Sequence, residues 1–292
     1  MNNYNKKWLL LIVLSIIWGS SFILIKKGLA ELSPIHLGSL RIIFTTFVII
    51  IFSYNSLIKI KKEKWKWIII TAYVGTFFPV YLVGFGQTQI DSGLASILTT
   101  LTPISTLVVG VFFFNLFFTR KQVLGLVIGL IGGFLLLYEG SLNTDSNIYF
   151  AIFIVLTTIG YGTSVNLIKT YLTDIPPAAV TAGIFISILP PAVIILLFSD
   201  FGSLNFSNKE VLYSILYVFV LGVFSSAIAQ TLFNKFVKIA SPLFASAVTY
   251  TMPVVAILWA VLDGEELTIK QYFASLVILF GVYLVNQKEK VT

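Results

Sequence analysis

Residues able to do chemistry are sparse in this chain, and most stand inside long apolar runs. Of 292 residues, 11% are charged, one is a histidine (His36) and none is a cysteine. Thiol catalysis, thiolate metal sites and disulfides are excluded at once. No HExxH motif and no aspartate pair interrupts an apolar run, so an intramembrane hydrolase lacks its groups; no enzyme activity, metal or cofactor is expected. What the runs do carry is neutral hydrogen-bonding groups and aromatic rings. Ser20 and Ser21 lie in one run and Thr163, Ser164 and Asn166 in another. Ser96, Thr99 and Thr100 precede Pro103; Thr249, Tyr250 and Thr251 precede Pro253. In hydrocarbon an unpartnered polar group is costly, so such groups face protein or a wet cavity. Together they suggest a neutral, polar and aromatic lining for a small molecule, with Trp18, Ser21, Tyr81, Ser96, Thr100, Tyr161, Asn166, Gln230 and Tyr250 as the expected contacts. For any single Ser or Thr, interhelical hydrogen bonding worth about 0.6 kcal/mol is the plainer account. For Gln230 and Asn166 the two readings balance, because each amide has four bonding sites to satisfy.

The charges in or beside the runs are few enough to take one by one. Arg41 is the only cation within a run. It can snorkel toward headgroups or bind a substrate carboxylate, and the snorkelling account is the favoured one. Its counterpart in the second half of the chain is apolar, near Ile184. Lys26 and Lys169 end two runs, where they either snorkel or narrow the two mouths of a cavity. Glu265 is a further candidate gate contact, and His36, at a helix start, reads as a solvated interface residue. No Asp or Glu falls near the middle of a run, so facilitated diffusion or exchange is expected rather than tight proton coupling. Trp18 and Tyr161, well inside their runs, are candidates to stack on a substrate or close a gate. Trp65 and Trp67, beside a lysine cluster, read as interface anchors.

The elements that must position these residues follow from composition. The chain is 58% hydrophobic with a mean hydropathy of +0.97. A soluble domain carries about 25% charged residues; a surface this poor in charge has lipid for its solvent. Helices of roughly 20 apolar residues span a bilayer. Ten spans are predicted, at 8–26, 35–54, 66–87, 92–115, 122–139, 148–168, 178–198, 211–233, 242–262 and 270–286, with nothing left over for a soluble domain. Lys6 and Lys7 precede the first run without a small-residue cleavage site, so it reads as an uncleaved helix. The net charge of +7 is a topology signal rather than a nucleic-acid footprint. Fourteen Lys and Arg residues fall on one side of the ten spans and four on the other. The positive-inside rule then puts both termini in the cytoplasm of a protein of the cell membrane.

The chain also says the same thing twice. Trp18-Gly19-Ser20-Ser21-Phe22 through Lys26 to Pro34 matches Tyr161-Gly162-Thr163-Ser164-Val165 through Lys169 to Pro177, at an offset of 143. Ala95-Ser96 with Pro103 matches Ala245-Ser246 with Pro253 at 150, and Thr119, Lys121-Gln122 and Gly132 match Thr268, Lys270-Gln271 and Gly281 at 149. The repeats are 1–142 and 146–292, with spans three and eight aligning less clearly. Five spans separate the copies, and an odd number of crossings inverts the second. The expected fold is an all-α membrane protein of ten transmembrane helices in two inverted five-helix repeats, the build of many secondary transporters. Gly125, Gly129 and Gly133 form two GxxxG steps, which serve a dimer face or, preferably, packing within the monomer. Span ten offers only Ala274 and Gly281 as small partners. Monomer and homodimer both stay open.

In the order, spacing and duplication of these motifs the chain resembles the EamA-type family of the drug/metabolite transporter superfamily. The carrying residues are Trp18-Gly19-Ser20-Ser21-Phe22 with Lys26, Pro34 and Arg41; Ser92-Gly93-Leu94-Ala95-Ser96 with Pro103; Pro242 through Ala245-Ser246 with Pro253; Gly264-Glu265-Glu266-Leu267-Thr268; and Gly281-Val282. The resemblance spans nearly the whole chain. It implies a ten-helix carrier with both termini inside and a central cavity between repeats, moving amino acids, other small metabolites or drugs, often outward. One departure stands out. The family usually places Gly-Glu at the end of span four as well as span nine, and here the position matching Glu265 is Leu116. The expectation is a permease or exporter of small metabolites, amino acids or related compounds foremost, working by alternating access. An importer or exchanger of another metabolite class, or a non-transporting scaffold or receptor, is the alternative.

Overall fold

A computed structural model describes residues 3–90, 92–139, 148–262 and 269–286. Glu265, and with it the comparison with Leu116, lies outside them. Ten helices follow in order: α1 Asn3–Gly28, α2 Pro34–Leu57, α3 Lys62–Gln87, α4 Leu94–Phe114, α5 Arg120–Glu139, α6 Ala151–Tyr171, α7 Pro177–Leu197, α8 Lys209–Ile239, α9 Pro242–Ser246 with Val248–Leu262, and α10 Ile269–Asn286. No strand occurs among the described residues. Among the described residues seven helices are long and apolar enough to cross a membrane, and α9 and α10 contribute shorter apolar stretches. Large apolar side chains such as Phe52, Phe112 and Phe198 stand outward, as they must where lipid rather than water wets the surface.

The helix starts are written locally. Ser33 and Ser241 each accept a hydrogen bond from the backbone N–H three residues on, with Pro34 and Pro242 at the first helical position, where a missing N–H costs nothing. Thr119 and Gln122 cap the start of α5 reciprocally, at 2.9 and 3.3 Å. Asn115, at φ 51°, closes α4 in the left-handed region that asparagine tolerates.

The core is built between the halves of the chain. Helix α1 packs on α8 and α9, and α6 packs on α3 and α4; α2 lies along α7, and α5 along α10. The α5–α10 seam is made by glycine. A Cβ on Gly281 would sit 2.5 Å from the Gly129 nitrogen, and one on Gly125 would sit 2.7 Å from the Gly281 carbonyl oxygen. Gly132 meets Ile278 and Ala274 in the same way. The GxxxG steps thus pack within the chain, and the small partners in α10 are Ala274 and Gly281, a patch that was not obvious from the sequence.

Four of the described helices depart from regular geometry along their length. A π segment occupies Tyr73–Phe77 of α3 and another Leu221–Ile228 of α8; α4 tightens to a 3-10 turn at Thr99–Leu101, and α9 breaks at Ala247. Proline accounts for part of this. Pro103 lacks the N–H that would bond the Thr99 carbonyl, and the Thr102 hydroxyl bonds that oxygen instead at 2.7 Å. Pro79 follows the first π segment, and Pro253 lies nearly two turns past the α9 break at Ala247.

Candidate functional site

Irregular backbone is tolerated at membrane depth where it is buried in protein or lines a cavity, and all four departures border one space. The central cavity encloses about 970 Å³ not filled by atoms, its open mouth included. Gly75 and Thr76 face it from the π segment of α3, Ser225 and Ser226 from that of α8, Thr99 and Thr102 from the 3-10 region of α4, and Ser246, Val248 and Thr249 from the α9 break. Helix α1 adds Trp18, Ser21, Phe22 and Ile25; α6 adds Tyr161, Ser164 and Val165; Arg41, Phe185, Gln230 and Phe233 complete the polar and aromatic part of the wall.

Arg41 and Trp18 are held by the same short stretch of α8. The Trp18 indole N–H donates to the Ser225 carbonyl oxygen at 2.9 Å. The Arg41 Nε–H donates to the Ser226 hydroxyl at 2.7 Å, and its Nη2 reaches the Ser225 hydroxyl at 3.4 Å. The snorkelling account of Arg41 therefore gives way: its head is turned inward by two serines. A π turn advances the chain by more than 3.6 residues, and here it brings two consecutive hydroxyls to one cation. The Trp18 ring rests against Phe233 with centroids 5.0 Å apart.

Of the residues expected to line a cavity, Trp18, Ser21, Tyr161 and Gln230 stand on its wall, and so does Arg41. Five do not. Tyr81 lies between α2 and α3, its ring filling the space a side chain at Gly38 would take and its hydroxyl 2.8 Å from that of Ser39. Tyr250 reaches away toward α5, donates to the Leu126 carbonyl oxygen at 2.8 Å and packs on Gly129. Asn166 is wholly buried between α6 and α4, where its Nδ2 donates to the Thr106 and Gly162 carbonyl oxygens at 2.9 and 3.0 Å. Thr100 bonds the Ile97 carbonyl oxygen and lies against Gly133, and Ser96 is buried off the wall. A glycine stands beside four of them, Tyr81, Tyr250, Asn166 and Thr100, and leaves each side chain room within the helix packing; the tight turn of α4 brings Thr99 and Thr102 to the wall in place of Ser96 and Thr100.

The remaining candidates are peripheral. The Lys169 ammonium donates to the carbonyl oxygens of Val237, Lys238 and Ala240 at 3.1, 3.3 and 2.6 Å, tying α6 to the end of α8. Lys26 is exposed at the end of α1. His36, expected in solvent, is 2% exposed, its ring edge-on to Phe201 and its Nε2 3.0 Å from an Asp200 oxygen, outside hydrogen-bond alignment. Sequence reasoning passed over Ser225, Ser226, Thr76 and Phe185. Two adjacent serines in an apolar run were the available signal; the π segments, of unequal length, blur the register of spans three and eight that would have drawn attention to them.

A many-helix membrane protein with a central cavity lined from both halves of the chain belongs to the class of membrane transporters, and comparison names the family. The model of the EamA-like transporter family matches residues 6–138 and again 148–287, and the chain belongs to that family. It is 30% identical to an uncharacterised transporter of Archaeoglobus fulgidus over 97% of this chain and 99% of that one. It is 28% identical to the uncharacterised inner membrane transporter YedA of Escherichia coli, over 94% and 89%. A Salmonella typhimurium protein named "Probable amino-acid metabolite efflux pump" is 27% identical over 96% of this chain and 94% of its own. A solved crystal structure at 16% identity shares the fold, with a TM-score of 0.75 over 96% of both chains.

Proposed function

We propose that this protein is a permease of the cell membrane that exports small metabolites, amino acids or related compounds, by alternating access at the central cavity. The observation that carries the reading is the cavity wall: α1, α2, α3 and α4 face α6, α7, α8 and α9 across one polar and aromatic space. Two inverted five-helix repeats, 1–142 and 146–292, with both termini cytoplasmic, supply the rocking frame. Three observations support the repeat. The family model matches twice. The partners of α1 (α8 and α9) are, five helices on, the counterparts of the partners of α6 (α3 and α4). The π segments fall in α3 and α8, again five helices apart. Export of amino-acid metabolites follows the name of the Salmonella relative, and it suits a wall of hydroxyls, one amide, aromatic rings and a single guanidinium.

The test compares growth medium from cells that overexpress the protein with medium from cells that lack it. Amino acids or their derivatives accumulate outside the overexpressing cells, and resistance to toxic amino-acid analogues rises with them. Trp18→Ala and Tyr161→Ala each abolish the effect at unchanged expression, since each removes a ring from the wall. Media that do not differ defeat the exporter reading. Full activity in both variants removes the aromatic pair from the site.

A further inference from the structure

The cavity wall holds a cation whose hydrogen bonds are mostly unspent. A guanidinium has five N–H donors and no acceptor. Among the described residues Arg41 uses two, on the Ser226 and Ser225 hydroxyls, and it is paired with no carboxylate. Three donors are left beside an open space. Both acceptors are neutral, so the charge itself is unmatched. A cation without a counter-ion at membrane depth is costly. If Arg41 served packing alone, an apolar residue of similar volume would do as well, as it does at Ile184, the matching position of the second half, which is fully buried. The serines also hold the guanidinium by its Nε edge and one Nη. That fixes the plane of the fork without occupying all of it, and a planar fork is what binds a carboxylate through two parallel bonds.

The rest of the wall defines the other end of the ligand. Trp18, Tyr161, Phe185 and Phe233 present rings to the same space. Tyr161 and Gln230 stand on the same wall and offer neutral donors and acceptors. No Asp or Glu stands on the wall among the described residues. An ammonium group thus finds only hydroxyls, an amide and ring faces, whereas a carboxylate finds a full positive charge.

We infer that Arg41, held by Ser225 and Ser226, is a carboxylate-binding subsite, and that the cargo is an organic acid anion with an apolar or aromatic body whose amino group, where it has one, is dispensable. The inference rests on the transport reading of the cavity and narrows it to a substrate class. It is tested on the purified full-length protein in lipid nanodiscs at neutral pH and physiological salt. Binding of 3-phenylpropanoate, 3-phenylpropanamide and 3-phenylpropan-1-ol is followed by tryptophan fluorescence and by thermal shift. A charge-assisted pair is worth roughly tenfold or more in affinity. The acid is therefore expected to bind at least about tenfold more tightly than the amide or the alcohol. Arg41→Gln brings the three within about twofold of one another, and Arg41→Lys, which keeps the charge but not the fork, falls between. Ser226→Ala weakens the acid several-fold and leaves the amide unchanged. Equal binding of acid and amide to the unaltered protein, failure of the acid to bind, or a preference that survives Arg41→Gln overturns the inference. The three-ligand series on the unaltered protein decides the matter even if Arg41→Gln does not fold. Export without acid selectivity sinks the subsite and spares the exporter; acid-selective binding in a protein that exports nothing does the reverse.

Discussion

Arg41 and Lys169 are both cations in an apolar setting, and the difference between them lies in what they touch. Lys169 gives its hydrogens to three carbonyl oxygens at the end of α8, where a helix C-terminus attracts positive charge. Arg41 has only two hydroxyls and faces a cavity. Both read from the sequence as cations able to snorkel; the partner is what separates structure from site. A third cation, Lys64, shows the surface case. Its ammonium lies 2.9 Å from an Asp174 oxygen and donates to the Tyr171 carbonyl at 2.7 Å, while Trp67 stacks on Tyr171 at 3.7 Å, so the start of α3 is tied to the α6–α7 turn. That hydrogen bond holds the Asp174 carboxyl below the usual carboxylate range. The folded protein then binds the proton less readily than the unfolded chain does. The pair stabilises above the unfolded value of about 3.9, and the gain is lost as pH falls through the lower folded value. Asp174→Asn is expected to cost less than about 1 kcal/mol of stability at neutral pH, because the Asp174 carboxylate is open to solvent, and so to lower the melting temperature slightly. The gap between variant and parent closes in acid. A melting series across pH reads both the size and the closure.

At the scale of the helix, each of the ten expected spans meets a helix whose ends differ by a few residues, and among the described residues seven of these are long and apolar enough to cross a membrane. What the sequence concealed is how each helix bends. Five prolines stand inside the spans and point to disturbed backbone; Pro79, Pro103 and Pro253 lie near three of the four irregular segments, whereas α7 runs unbroken through Pro190 and Pro191, and the π segment Leu221–Ile228 has no proline and was invisible. That segment carries Ser225 and Ser226, so the least legible element holds the partners of Arg41. The α5–α10 seam is an intermediate case, since spacing exposed the glycine steps of α5 and only the packing shows their partner in α10. A methyl group on Gly281 meets the backbone of α5 at 2.5 and 2.7 Å, and rigid neighbours of that kind cannot yield. Gly281→Ala is expected to destabilise the protein by about 1–3 kcal/mol. Gly202→Ala, with nothing within 4 Å of the added carbon, leaves stability unchanged. Thermal unfolding of the two variants in one detergent gives the comparison, and equal losses would remove the seam from the account.

For the molecule as a whole, an unmatched guanidinium on the wall bears on how the carrier returns. Under the proposed alternating access, closing the empty cavity would bury the Arg41 charge without a counter-ion, whereas closing it around an anion would bury a neutral pair; breaking such a pair costs about 3–5 kcal/mol when one partner is removed. Exchange is therefore expected to outpace net efflux. In proteoliposomes loaded with labelled 3-phenylpropanoate, adding the unlabelled acid outside speeds efflux several-fold. Arg41→Gln brings that ratio to one. A ratio of one in the unaltered protein defeats the exchange mechanism.

Composition and pattern by themselves determined that the chain lives in lipid, that it crosses many times, and that it carries its motifs twice; these are statements about solvent and period, which act along the chain. Only the tertiary structure decided which polar groups are spent. Asn166 and Tyr250 are as polar as Gln230 and Tyr161, yet the first two meet a carbonyl across a close helix contact and the last two meet open space. That outcome depends on the angle at which each helix is turned and on where its geometry widens or tightens, and no local run of residues encodes it.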